Sequence, residues 1–173
     1  MRFQFDRIAP AWETLLMEDS LAAYEAALAR VSGPVERALD LGTGTGAGAR
    51  AIRKRFADAD VVGADLSAEM LAEARTLAPE VRFVQADASD LPFCDESFDL
   101  VAHSNMIPFL DEVARVLRPG GWTIFGFSSG PETPIWVEPK RLRAELERRG
   151  FTDFAEIAAG RGTAVVARRA DGN

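Results

Sequence analysis

The chain contains a single cysteine, Cys94, a single histidine, His103, and a single tyrosine, Tyr24. A lone cysteine excludes an internal disulfide and any cysteine-rich metal site. It suits a reducing cytoplasm and is expected here as a small buried or half-buried thiol. Positive charge is in deficit, with 20 Lys and Arg against 27 Asp and Glu and a net charge of −7. That balance argues against a general nucleic-acid binder, which needs basic surface to displace phosphate counterions. Long apolar runs are missing as well, and Arg2, Asp6 and Arg7 interrupt the apolar residues at the N-terminus. The expectation is a cytoplasmic protein without a signal peptide or a membrane span. No stretch repeats at a fixed period.

What the chain does have is 173 residues, enough for one domain with a sizeable core. Its centre is Ala38-Leu39-Asp40-Leu41-Gly42-Thr43-Gly44-Thr45-Gly46-Ala47-Gly48, a strand that ends in an acid and runs into a glycine-rich turn. Closely spaced glycines let the backbone adopt positive φ and let a ligand approach where a Cβ would block it. The helix that follows, roughly 46–56, is expected to point its free N–H groups at that ligand. The pattern Gly42-x-Gly44-x-x-Ala47 also satisfies the dinucleotide fingerprint with alanine in the third place, so a nicotinamide ligand stays open at this stage.

From Val35 onward short apolar runs alternate with helical patterns. The spacing predicts strands over 35–41, 60–65, 81–86 and 98–103, with helices over 46–56, 67–77 and 109–117. Strands separated by helices of this length imply right-handed crossovers and a parallel sheet. Ser67 is placed as an N-cap, Pro79 as a helix terminator, and Arg118-Pro119-Gly120-Gly121 as a helix stop before a strand over 122–128. A proline-rich loop follows, then a charged helix over 138–149 capped by Gly150. Two closing runs, 151–158 and 162–168, are joined by Gly160-Arg161-Gly162, a hairpin signal. The predicted fold is α/β, Rossmann-like and doubly wound, with a mostly parallel seven-stranded sheet, helices on both faces and an antiparallel strand at the C-terminal edge. Residues 1–34 are read as an arm and amphipathic helix covering the site, with Ser20 as that helix's N-cap. Residues 35–170 form the domain and 171–173 a tail.

Ligands in open α/β sheets bind beyond the carboxyl ends of the strands, and three acids recur there. Asp40 ends the first strand, Asp65 the second, and Asp87 follows the third. A carboxylate after the second strand suits a vicinal ribose diol, because it accepts two hydroxyl hydrogen bonds at once. Asp87 can accept from the exocyclic amine of an adenine lying across the sheet edge.

At this point the residues resemble the class I S-adenosylmethionine-dependent methyltransferases, particularly the small-molecule branch of ubiquinone and menaquinone biosynthesis type. The resemblance covers most of the chain. It rests on the glycine turn, on Gly63-Ala64-Asp65-Leu66-Ser67-Ala68-Glu69-Met70-Leu71, on Asp87-Ala88-Ser89-Asp90-Leu91-Pro92-Phe93, on Ser97-Phe98-Asp99-Leu100-Val101, and on Glu112-Val113-Ala114-Arg115-Val116-Leu117-Arg118-Pro119-Gly120-Gly121. It implies transfer of a methyl group from S-adenosylmethionine to a small acceptor, with S-adenosylhomocysteine as product. It further implies that Asp40, Gly42, Thr43, Gly44 and Gly46 hold the methionine part of the cofactor and that Asp65 takes the ribose hydroxyls. Asp87 takes the adenine amine, Leu66, Ala88 and Leu91 flank the base, and Met70 completes the cofactor set. Asp40 has an alternative role, bracing the glycine turn through backbone N–H groups.

Methyl transfer is an in-line displacement, so alignment does most of the work. A hydroxyl acceptor also needs a base, for which His103 at the end of the fourth strand is the candidate, with a pocket wall as its alternative role. Trp12 and Tyr24 are candidates to face the sulfonium cation, or else pack the arm onto the core. Trp136, in the proline-rich loop, is placed either at the pocket rim or in packing. The helix around Lys140–Arg149 is mixed in sign and reads as a solvated face rather than a nucleic-acid patch. Relative to the family pattern, the segment between His103 and Asp111 is short, and no long insertion after Ser128 builds a substrate cap. Three explanations compete: a large acceptor, a second copy of the chain covering the site as a homodimer, or a catalytically weak cofactor-binding partner subunit.

Overall fold

The structure is a computed structural model and describes residues 21–172. The arm with Trp12, and Ser20, lie outside the described residues. Helix α1 (Ala22–Leu28) leads into β1 (Arg37–Leu41), α2 (Ala47–Arg55), β2 (Asp60–Asp65), α3 (Ala68–Leu77), β3 (Arg82–Gln85), β4 (Phe98–Ser104), α4 (Leu110–Val116) and β5 (Leu117–Phe127). A 3-10 turn at Gly130–Glu132 precedes α5 (Pro139–Glu147), β6 (Phe151–Ala159) and β7 (Gly162–Arg169).

Among the described residues the strands form one seven-stranded sheet in the order β3-β2-β1-β4-β5-β7-β6. The pairs among β1 to β5 are parallel, while β7 runs antiparallel to both β5 and β6. The antiparallel strand therefore inserts one place in from the edge, and β6 is the edge strand. Ala159 pairs with Gly162 across a two-residue turn in which Gly160 has a φ of 58°, the positive φ that favours glycine in tight hairpins.

The sheet is covered on both faces because its strands are apolar on both sides. One face packs Tyr24, Leu28, Ala49, Ile52, Leu71 and Ala74 of α1, α2 and α3. The other packs Val113 and Val116 of α4 with Leu142 and Leu146 of α5. Local signals set the helix ends. The Ser67 hydroxyl accepts from the Met70 N–H at 3.2 Å, and Gly150, with a φ of 79°, follows α5. Helix α4 stops at Val116, and the chain enters β5 at once, so Arg118–Gly121 belongs to the strand rather than to a separate loop. On α5, Arg143 pairs with Glu147 and both Arg148 and Arg149 pair with Glu145, as befits a solvated face. Cys94, expected at least half-buried, is exposed on the β3–β4 connection. No helix of the described residues is long and apolar enough to cross a membrane.

Candidate active site at the strand ends

The sheet order reverses between β1 and β4, which leaves a crevice where the helices diverge. A cleft of about 180 Å³ lies there, lined from four strand ends: Leu41 and Gly42 at the end of β1, Ala64, Asp65 and Leu66 at β2, Ala86, Asp87 and Ala88 after β3, and Met106 and Phe109 after β4. Gly42, Asp65, Leu66, Asp87 and Ala88, all anticipated from sequence, are thus brought together. Gly42 has a φ of 70°, and a Cβ there would stand 2.5 Å from the Met106 Sδ, so only glycine leaves the cleft floor open.

The three acids occupy different environments. Asp65 is half-buried, and its Oδ2 accepts from the Gly44 N–H at 2.8 Å while its Oδ1 accepts from the Ser67 N–H at 2.9 Å. It ties the glycine turn to the start of α3 and still faces the cleft, with lone pairs to spare. Asp87 is exposed. Its Oδ1 accepts from the Ser89 N–H at 2.8 Å and the Ser89 hydroxyl at 2.7 Å, and these bonds hold its pKa below the ordinary carboxylate value. Its Oδ2 has no donor among the described residues.

Asp40 does not reach the cleft. It is buried beneath the glycine turn, where its Oδ1 accepts from the Tyr24 hydroxyl at 3.0 Å and its Oδ2 from the Thr43 hydroxyl at 2.6 Å. The Ala49 N–H at the start of α2 also donates to its carboxylate. The Ala49 N–H, in the first turn of α2, is therefore satisfied from inside the protein and is not free for a ligand. Burial raises the Asp40 pKa to about 6 against the pull of these three donors. Tyr24 packs in the core on the α1 side, and its hydroxyl is pushed to a higher pKa first by burial and then by Asp40.

Of the other anticipated residues, Thr43 serves Asp40, and the Gly44 N–H serves Asp65. Gly46 caps α2 with a φ of 86°, and Met70 and Leu91 are buried. None of these five lines the cleft. His103 also stands away from it. Its ring is fully buried edge-on against Phe125, 4.4 Å between centroids, with neither nitrogen hydrogen-bonded, and burial lowers its pKa to about 3. Such an imidazole is neutral at any ordinary pH. Trp136 packs at the margin of the same apolar face with its indole N–H unpartnered.

Two residues that sequence reasoning did not single out shape the fourth wall. Asn105, at a φ of 54°, donates from its amide to the Ser128 hydroxyl at 2.9 Å and accepts from the Ser128 N–H at 2.8 Å. It ties the loop after β4 to the loop after β5 and so sets the path of Met106 into the cleft. The signal for Asn105 was only its tolerance of positive φ, and for Met106 there was none.

Comparison with known proteins agrees with this arrangement. The methyltransferase domain family matches residues 38–121. A demethylmenaquinone methyltransferase of Clavibacter sepedonicus is 40% identical over 146 residues, covering 76% of this chain and 59% of that protein. The chain thus spans little more than half the length of this curated relative. Among solved structures, a chain of the Haloferax volcanii complex containing the Trm112 methyltransferase activator superposes with a TM-score of 0.79 at 23% identity, covering 96% of this chain and 97% of that one. Phosphoethanolamine N-methyltransferase 2 of Haemonchus contortus, solved in complex with S-adenosyl-L-methionine, superposes with a TM-score of 0.75 at 17% identity, covering 96% of this chain and 57% of that one. With the strand order, the glycine turn and the acids at the strand ends all in place, the chain has the class I methyltransferase fold, and its residues 38–121 match the methyltransferase domain family.

Proposed function

We propose that this chain is an S-adenosylmethionine-dependent methyltransferase acting on a small acceptor. The observation that carries the reading is the cleft itself, in which Gly42, Asp65 and Asp87 stand on three successive strand ends along one groove. The residues fit the cofactor. Gly42 offers a floor without a side chain, Asp65 a carboxylate for ribose hydroxyls, and Asp87 an unengaged oxygen for an adenine amine. Leu66 and Ala88 offer apolar surface on either side of the base, and Ala88 packs against the cluster that holds the buried Leu91.

When bound, the cofactor supplies a methyl group on a positively charged sulfur. The chain's own contribution is binding and alignment, since holding two reactants in line can contribute about 7–11 kcal/mol. Thr43, Gly44 and Gly46 shape the turn, while Asp40 holds it from below. Met106 and Phe109, with the exposed Ile107 between them, give the acceptor side an apolar character. The acceptor class that fits is therefore an apolar small molecule with one nucleophilic atom. His103 is assigned to core packing against Phe125 rather than to proton transfer, because it stands away from the cleft and a buried imidazole with a pKa near 3 takes up protons too weakly to serve as a base at neutral pH. Trp12 and Trp136 are assigned to the cover of the acceptor side.

Calorimetric titration with S-adenosylhomocysteine tests the reading. Native protein should bind at micromolar concentration and Asp65→Ala should lose the binding while remaining folded. A well-folded native protein with no affinity would overturn it. A second reading, that the chain works with a partner subunit, is supported by the neighbour solved together with an activator and by the short connections around the cleft. Here the isolated chain should bind the product but turn over poorly until a partner or a second copy is added, as read by sedimentation alongside activity.

A further inference from the structure

This inference rests on the cofactor reading above and concerns what holds the adenine end. The connection from β3 to β4 carries Asp87, yet over residues 86–97 its only ladder contact is an isolated bridge between Asp87 and Asp90. Its internal bonds are local turns, the Asp90 N–H to the Asp87 carbonyl at 3.1 Å and the Phe93 N–H to the Leu91 carbonyl at 2.8 Å, so its path relative to the cleft depends on anchors outside it. Two side chains of α4 supply them.

Arg115 directs five N–H bonds to five acceptors. Its Nε donates to Glu112 Oε1 at 2.7 Å and its Nη2 to Glu112 Oε2 at 2.7 Å, a forked pair. Nη2 also donates to the Leu91 carbonyl at 3.0 Å, and Nη1 donates to the Phe93 carbonyl at 2.7 Å and to the Asp95 carboxylate at 2.9 Å. Glu112 Oε2 in turn accepts from the Leu91 N–H at 2.7 Å. The pair therefore holds both backbone polar groups of Leu91, whose side chain is buried, and the Phe93 ring stands edge-on to Phe98 at 5.0 Å. Asp87 lies four residues upstream, with Oδ1 engaged by Ser89 and Oδ2 left over. Where that oxygen stands depends on where the loop is pinned.

We propose that Glu112 and Arg115 are positioning residues for the adenine end of the site, and that by pinning the 87–95 loop they set its preference for a base with an exocyclic amine over one with an oxo group. An amine gives the Asp87 carboxylate a donor, whereas an oxo group sets a second acceptor against it. Exposed ion pairs as such contribute little, but this one is forked, only 30% and 17% exposed on its two side chains, and bonded to backbone that must otherwise find water. A lysine keeps the charge at this position but cannot make the fork.

The test titrates S-adenosylhomocysteine and its 6-oxo analogue, S-inosylhomocysteine, into native protein, Arg115→Lys and Glu112→Gln, with an unfolding midpoint for each. Native protein should prefer the amine-bearing ligand. Arg115→Lys should bind it about tenfold more weakly and lose most of the preference, and Glu112→Gln, which keeps the side-chain shape should the lysine variant fold poorly, should shift the same way. Folded variants with native affinity and native preference would overturn the proposal, as would an equal loss for both ligands, which a purely structural pair would give. Native protein that binds neither ligand would instead overturn the cofactor reading on which this rests.

Discussion

Asp40 and Asp87 are the same residue type at the ends of β1 and β3, two strands separated only by β2, and the protein uses them in opposite ways. Asp40 is sealed under the glycine turn with three donors from its own chain, whereas Asp87 is open to the cleft with one oxygen engaged and one free. Burial makes the difference. A buried carboxylate must be satisfied internally and becomes a brace, while an exposed one can keep a lone pair for a ligand. The two loops differ accordingly, the glycine turn being held from beneath by β1 and α1, and the Asp87 loop from outside by α4.

The contrast should break most visibly through pH. Because burial raises the folded-state pKa of Asp40 to about 6 from an ordinary value of 3.8, the folded state holds its proton more tightly than the unfolded chain. Its contribution to stability is therefore largest below pH 4 and declines as pH rises to 6, by about 3 kcal/mol. Asp40→Asn removes that dependence, so urea midpoints of variant and native protein should diverge in the variant's favour between pH 4 and 6; a constant difference would contradict the brace. Gly48→Ala attacks the same brace sterically, since its Cβ would stand 2.5 Å from Asp40 Oδ1. It should cost about 2 kcal/mol in chemical denaturation.

Tyr24→Phe removes one donor and leaves the ring in place, which should lower stability by about 1.5 kcal/mol at neutral pH and raise the Asp40 pKa further. A thermal midpoint unchanged from native would show the Tyr24 bond to be idle. The smallest effect belongs to the exposed acid. Asp87→Asn should leave the unfolding midpoint where it is and weaken S-adenosylhomocysteine by about tenfold in calorimetry, no less than the loss expected of Arg115→Lys. A stability loss without an affinity loss would reverse the roles assigned to the two acids.

Much of this was legible in the sequence. Apart from β5, which starts at Leu117 rather than Trp122, the apolar runs and helical periods from Val35 onward correspond to observed elements to within a few residues, because turn chemistry at Gly42, Ser67, Gly150 and Gly160 leaves the backbone few alternatives. The hairpin of β6 and β7 was legible as a pair, but which of the two lies beside β5 depends on long-range packing that no local signal carries. Asp65 and Asp87 stand at the cleft as their positions implied. The direction of His103 was missed because a strand-end residue faces whichever side the register dictates, and here it shares the apolar face with Phe125. Glu112 and Arg115 are an ordinary i,i+3 pair in sequence, and only the folded loop shows what they hold.

The most direct measurement is a crystal structure of the complex with S-adenosylhomocysteine. The account predicts ribose hydroxyls within hydrogen-bond distance of the Asp65 carboxylate, the base amine on Asp87, and no ligand atom on the Asp40 carboxylate. A ligand seated directly on Asp40, or one bound away from the four strand ends, would contradict it.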